Sequence, residues 1–124
     1  MKKYLKLGDL SSYQLSFGLS NYLWNIVVKW KPLAKYSIGK QFISSMDSIS
    51  ANIAEGFGRY NKNDKIRFYY YGLGSVYESL DWNEKSFRRG LLNEVEHRKI
   101  SDILNQLPTE IRTLIRFTRH KLNK

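Results

Sequence analysis

Apolar residues recur every three or four positions along nearly the whole chain, and polar residues fill the gaps. That period is the signature of amphipathic helices. Leu15, Leu19, Tyr22, Leu23, Ile26, Val27 and Trp30 make one stripe and predict a first helix ending near Trp30, where Lys31-Pro32 stops it. Asp9, Ser11 and Ser12 offer oxygens to cap its start. Phe17, Trp24 and Val28 lie off the stripe, so this helix is apolar on a second side, and in so small a protein a second copy is expected to cover it. Residues 32–37 read as a connector. A second helix is predicted over 38–60, with Ile38, Phe42, Met46, Ile49, Ile53 and Phe57 on its core side and small residues (Ser45, Ser48, Ala51, Ala54) on a thin side that lets another backbone approach.

Asn61-Lys62-Asn63-Asp64 reads as a capping box that opens a third helix over 62–89. Its expected inner face is Phe68, Tyr71, Gly72, Ser75, Ser79, Trp82 and Ser86, with Tyr69, Tyr70 and Tyr77 elsewhere. Those tyrosines either cover the helices with wet hydroxyls or stack on nucleobases. Gly90, after Arg88-Arg89, is a natural stop. A fourth helix is predicted from Asn93 or Glu94, with Ile100, Ile103, Leu104, Leu107, Ile111, Leu114, Ile115 and Leu122 in one stripe and Pro108 kinking it without ending it. Four such segments with no strand-like alternation predict an all-α fold, an up-down-up-down antiparallel four-helix bundle forming one domain over 1–124. Residues 1–10 are expected to be a flexible basic arm.

The stretch from Ser45 to Glu78 carries more than a helix pattern. Asn52, Glu55 and Arg59 stand three and four apart on the thin side of the second helix, so Glu55 and Arg59 are within reach of each other. Asn52-Ile53-Ala54-Glu55-Gly56, Gly58-Arg59, Arg67-Phe68, Gly74-Ser75 and Glu78 together resemble the bacterial four-helix-bundle family of proteins encoded in intervening sequences of 23S ribosomal RNA genes. The accessory variability determinant of diversity-generating retroelements is similar to that family. The resemblance runs without gaps from about Gln41 to Leu91. Two positions depart from it: Lys65 stands where an aromatic is common, which puts a local packing contact in doubt, and Gly72 stands where alanine is usual, which should loosen the third helix. The resemblance implies a homo-oligomer, a ring of five, and, through the retroelement relative, a reverse transcriptase as a candidate partner.

Charge adds a second expectation. Lys plus Arg number 21 against 11 Asp plus Glu, a net +10 that attracts polyanions, so RNA or DNA is a candidate partner. The excess is concentrated near the C-terminus, where Arg112, Arg116 and Arg119 align at helical spacing, followed by Lys121 and Lys124, with no acid after Glu110. No run approaches the ~18 apolar residues of a membrane span. The first residues lack the apolar core of a signal peptide, and there is no cysteine, so a cytoplasmic protein is expected.

Catalytic chemistry finds no footing in the sequence. His97 and His120 lie far apart with no carboxylate at metal spacing, so neither a metal nor a cofactor is expected. No two Glu-x-x-His motifs stand on facing helices, since Glu94 to His97 is the single such run in the sequence, and no phosphate loop or nucleophile elbow occurs. Asn52, Glu55, Arg59, Ser75 and Glu78 are instead expected to form a structural network, with Glu55–Arg59 as a buried pair whose loss would cost about 3–5 kcal/mol. Two functional readings stay open. One is a non-catalytic nucleic-acid-binding or ribonucleoprotein accessory protein that makes sequence-tolerant phosphate contacts. The other is a structural or protein-interaction scaffold whose charge serves solubility. Cations on one continuous face would favour the first, and cations scattered among acids the second.

Overall fold

The structure is a computed structural model that describes residues 5–121. Four long helical segments account for most of it, and no strand occurs among the described residues. Helix α1 is Ser11–Val27. Helix α2 is one continuous helical segment over 32–58, made of Pro32–Ala34, a π-helical stretch Lys35–Gly39, and Lys40–Gly58. Helix α3 is Lys62–Arg88 and helix α4 is Glu94–Lys121. Each helix packs on two others, α1 on α2 and α4, α3 on α2 and α4. All four contribute to one core that includes Leu19, Leu23, Phe42, Ile49, Ile53, Tyr69, Val76, Leu104 and Ile111.

The predicted segments are recognisable, with differences at their edges. Residues 32–37 are helical, not a connector. Proline is accepted in a first helical turn because its missing N–H would be unsatisfied there anyway, so Pro32 starts α2 and does not merely end α1. The start of α1 is capped by none of Asp9, Ser11 or Ser12, since its N-cap is Leu10 with no side-chain bond. Asp9 instead accepts from the backbone N–H of Lys6 at 2.8 Å, closing a 3-10 turn at Leu7–Asp9. Leu10 is buried in the core, so the basic lead-in is pinned at its end and is not a free arm through residue 10. The first four residues and Leu122 lie outside the described residues.

Caps at the other junctions follow the sequence in part, since Asn61 caps α3 as expected but the Asp64 carboxylate pairs with Arg67 and does not complete a capping box. Asn61 Oδ1 accepts from Asp64 N–H at 2.9 Å at the head of α3. Asn93 and Glu96 exchange side-chain-to-backbone bonds of 2.8 and 3.0 Å at the head of α4. At the end of α3, Gly90 takes φ +75°, and the N–H groups of Gly90 and Leu91 return to the carbonyls of Phe87 and Ser86. That closure needs a left-handed residue, which glycine supplies without a Cβ penalty. α4 runs through Pro108 as one helix.

The inner face of α3 differs most from expectation. Tyr69, expected outside, is almost fully buried, while Tyr71, expected inside, is half exposed. The buried row is Ile66, Tyr69, Gly72, Leu73, Val76, Ser79, Asn83 and Ser86, about one residue's rotation from the expected stripe. An aromatic-rich helix offers nearly equal apolar content on adjacent faces, so periodicity alone leaves that rotation open. Burial pushes the Tyr69 phenol up to about 12. An ordinary phenol in the unfolded chain ionises near 10, so the unfolded state loses its proton first as pH rises. Stability contributed by Tyr69 is therefore intact below about pH 10 and is lost progressively toward pH 12. At pH 11 the parent should have lost about 1.4 kcal/mol that Tyr69→Phe keeps, one pKa unit's worth; denaturant midpoints at pH 8 and pH 11 for the two proteins measure it.

Candidate nucleic-acid interface and the motif region

Small residues let α2 and α3 approach closely. Ser45 and Ser79 meet across the contact, with their hydroxyls 2.9 Å apart and both buried. A Cβ on Gly72 would lie 3.5 Å from the Ile49 carbonyl and 3.6 Å from the Asn52 Cβ, which is ordinary contact. Gly72→Ala should thus fit without displacement while removing glycine's backbone freedom in the unfolded chain. A gain of about 0.5–1 kcal/mol is expected, visible as a higher Tm. Gly56 is different. A Cβ there would meet the Tyr69 ring at 2.7 Å and the Lys65 carbonyl oxygen at 2.9 Å. The last turn of α2 therefore rests directly on the backbone and core tyrosine of α3, which is the physical content of the Asn-Ile-Ala-Glu-Gly string. Lys65 adds a tie, donating from Nζ to the Phe57 carbonyl at 2.7 Å.

The expected network around that string does not close within one chain. Glu55 and Arg59 do pair, at 2.8 Å, but both side chains are about half exposed, 50% and 41%. The pair is not buried as expected, because α3 covers α2 along Ser45, Ile49, Ile53 and Gly56 and leaves the Glu55 side to solvent. Asn52 donates to the Ser48 carbonyl and Ser75 to the Tyr71 carbonyl, each on its own helix. Glu78 accepts from Trp82 Nε1 at 3.2 Å rather than reaching Arg59. What Arg59 does reach is Phe68, whose ring centroid lies 4.6 Å from its guanidinium carbon, while Arg67 approaches the same ring at 4.8 Å. Phe68 in turn meets Tyr71 edge-on at 5.4 Å. The motif residues thus make a cation-aromatic patch on the surface of the single chain.

Besides Glu55, four acidic residues are taken up by cations on their own helix. Asp64 takes Arg67, Asp81 takes Lys85, Glu84 takes Arg88 and Glu94 takes Arg98, all within one helical turn. The α4 ridge has no such partner. Arg112, Arg116 and Arg119 are exposed in one row, and among the described residues none forms an ion pair. Glu110, the nearest acid before them, receives a hydrogen bond from Ser11 on α1. The row lines a shallow hollow of about 250 Å³ together with Tyr70, Ile115 and His120. Lys62 joins from the head of α3 by donating to the Arg119 carbonyl at 3.0 Å. Lys121 is exposed at the end of α4, and Lys124 lies outside the described residues.

Sequence reasoning found the arginine row and named Tyr70 as a covering or base-stacking tyrosine, but it did not place Tyr70, His120 or Lys62 beside the row. The first two differ in kind: His120 sits one residue past Arg119 and was readable, whereas Tyr70 and Lys62 arrive from another helix. It also missed Asn83, which donates from Nδ2 to Ser101 Oγ at 2.9 Å and ties α3 to α4. His97 stacks on Phe87 at 4.1 Å and meets Glu84 at 3.2 Å. No group of three potential metal ligands occurs among the described residues.

The family model for the 23S rRNA-intervening sequence protein matches residues 8–113. The chain belongs to that family. One similar solved structure is a protein of unknown function from the S23 ribosomal protein family of Bacteroides thetaiotaomicron. It shares 20% sequence identity at a TM-score of 0.76, over 84% of this chain and 97% of that one, a likeness of fold. No curated protein matches. The matched span includes the motif residues from Asn52 to Glu78. Among the described residues no helix is long and apolar enough to cross a membrane.

Proposed function

We propose that this member of the 23S rRNA-intervening sequence protein family is a non-catalytic, cytoplasmic nucleic-acid-binding protein. In this reading it is an up-down-up-down antiparallel four-helix bundle that works as a homo-oligomer. The observation that carries the reading is the row Arg112, Arg116 and Arg119, three exposed cations in one line with no ion-pair partner among the described residues. Three guanidiniums in a line, with few base-reading groups beside them, suit phosphate oxygens and positioning rather than sequence readout. Several ridges on one oligomer would act on one strand together and raise the apparent affinity. A role beside a reverse transcriptase belongs to the same reading, and a reverse-transcriptase or ribosomal RNA gene next to this one would support it.

Assembly has its own support. Phe17 and Trp24 on α1 are 51% and 53% exposed and Val28 joins them, an apolar row that solvent does not favour. Light scattering at micromolar concentration should return a mass well above the 14.7 kDa of one chain, and a ring of five is the expected count. Under dilution to monomer, Glu55→Ala should cost less than about 1 kcal/mol, as for other exposed pairs. A larger cost only at assembling concentrations would place the Glu55–Arg59 face between copies. Fluorescence anisotropy of labelled RNA and DNA at two salt concentrations tests binding itself. Tight binding that weakens steeply with salt is expected. No binding at low salt overturns the reading in favour of a scaffold, which the apolar row on α1 also fits.

A further inference from the structure

The far end of the molecule from the arginine row carries a second cationic feature. There the α1–α2 connection meets the α3–α4 turn around an open cavity of about 670 Å³. That lies within the roughly 300–1,000 Å³ range of small-molecule sites. Its apolar wall is built from Trp30, Leu33, Ile38 and Leu91, and Leu33 is 86% exposed, held out at the rim with nothing packed on it. Lys29, Lys31 and Arg89 stand around the same cavity. None of the three forms an ion pair among the described residues, and no acid lines the cavity. The sequence makes that imbalance general: no Asp or Glu occurs between Asp9 and Asp47.

Backbone geometry marks the same place. The π-helical stretch Lys35–Gly39 adjoins the cavity, and Ser37 and Ile38 within it line the wall. A π-turn widens a helix at some cost in hydrogen-bond geometry, and such turns recur at functional sites. An apolar wall wants an apolar body, and three uncompensated cations want an anionic head.

We propose that this end cavity binds a small amphipathic anion, an aromatic or aliphatic body bearing one carboxylate or phosphate. The body lies against Trp30, Leu33 and Leu91, and the head sits among Lys29, Lys31 and Arg89. This site is separate from the arginine row on α4 and does not depend on nucleic-acid binding.

The test uses the full chain and two fluorescent probes of similar shape, anionic 1-anilinonaphthalene-8-sulfonate and neutral N-phenyl-1-naphthylamine. The anionic probe should saturate at one site per chain. Octanoate or octyl phosphate should displace it, and because the two share an aliphatic body, which of them does so identifies the head group. The triple variant Lys29→Gln, Lys31→Gln, Arg89→Gln should weaken the anionic probe at least about tenfold, the scale of lost charged hydrogen bonds, and leave the neutral probe unaffected. These side chains are exposed, so circular dichroism should match the parent. The row variant Arg112→Gln, Arg116→Gln, Arg119→Gln should bind the anionic probe as the parent does. Unchanged affinity in the cavity variant, equal affinity for the two probes, no saturation, or displacement by neither competitor overturns the proposal.

Discussion

Replacing Arg112, Arg116 and Arg119 together with glutamine is expected to flatten the salt dependence of nucleic-acid binding. Each phosphate neutralised on duplex DNA contributes about 0.9 to the slope of log affinity against log salt, so losing three lowers the slope by about 2.7. Over a fourfold rise in salt the parent should then lose about 40-fold more affinity than the variant. The loss should be uniform across sequences, because phosphate contacts carry no base information. Glutamine is a comparable helix former, and all three side chains are exposed, so helical content and Tm should hold. An unchanged slope would remove the row from the account even if the protein still binds, and would point to cations elsewhere, such as Lys29, Lys31 and Arg89.

Gly56→Val should be the most damaging single change in the motif. The first added carbon already falls 2.9 Å from the Lys65 carbonyl, which belongs to the backbone of α3 and cannot rotate away, and 2.7 Å from the buried Tyr69 ring. Two more carbons must then separate α2 from α3 or displace Tyr69 from the core. Overpacking of this kind costs about 1–3 kcal/mol and more when the neighbour is rigid. A loss of about 3 kcal/mol corresponds to a Tm lower by roughly 10 °C for a chain of this size. Gly58, two residues on, is the internal control. A Cβ there meets nothing within 4 Å, so Gly58→Ala should be neutral or mildly stabilising. If both substitutions behave alike, the close approach at Gly56 is not what sets the packing of α2 on α3.

Part of this contrast was legible in the sequence and part was not. Gly56 and Gly58 read alike there, as two glycines near the end of the helix predicted over 38–60. Only the position of Lys65 and Tyr69 distinguishes them. The same holds for Glu55 and Arg59: helical spacing was enough to predict the pair, and it forms at 2.8 Å. Whether the pair is buried depended on which side of α2 meets α3, and the small residues at Ser45, Ser48, Ala51 and Ala54 span enough of the helix to leave two answers. Ser45 faces Ser79 in the core, while Ala51 is exposed.

The candidate site divides along the same line. A row on one helix is a one-dimensional feature, so Arg112, Arg116 and Arg119 could be found by counting. Tyr70 and Lys62 come to that row from α3, and Lys29 and Lys31 line one cavity with Arg89 although about half the chain separates them. No local spacing encodes such meetings.

Sequence by itself determined the number and type of the elements, most of their caps and the excess of cations, because period, capping chemistry and net charge are local or additive properties of the chain. Tertiary structure alone decided the rotation of α3 that buries Tyr69 and exposes Tyr71, the exposure of the Glu55–Arg59 pair, and the cavity at the α1–α2 end. Each of those depends on how one helix face is set against another, and aromatic-rich helices with small residues on two sides offer several settings of similar apolar content until packing selects one.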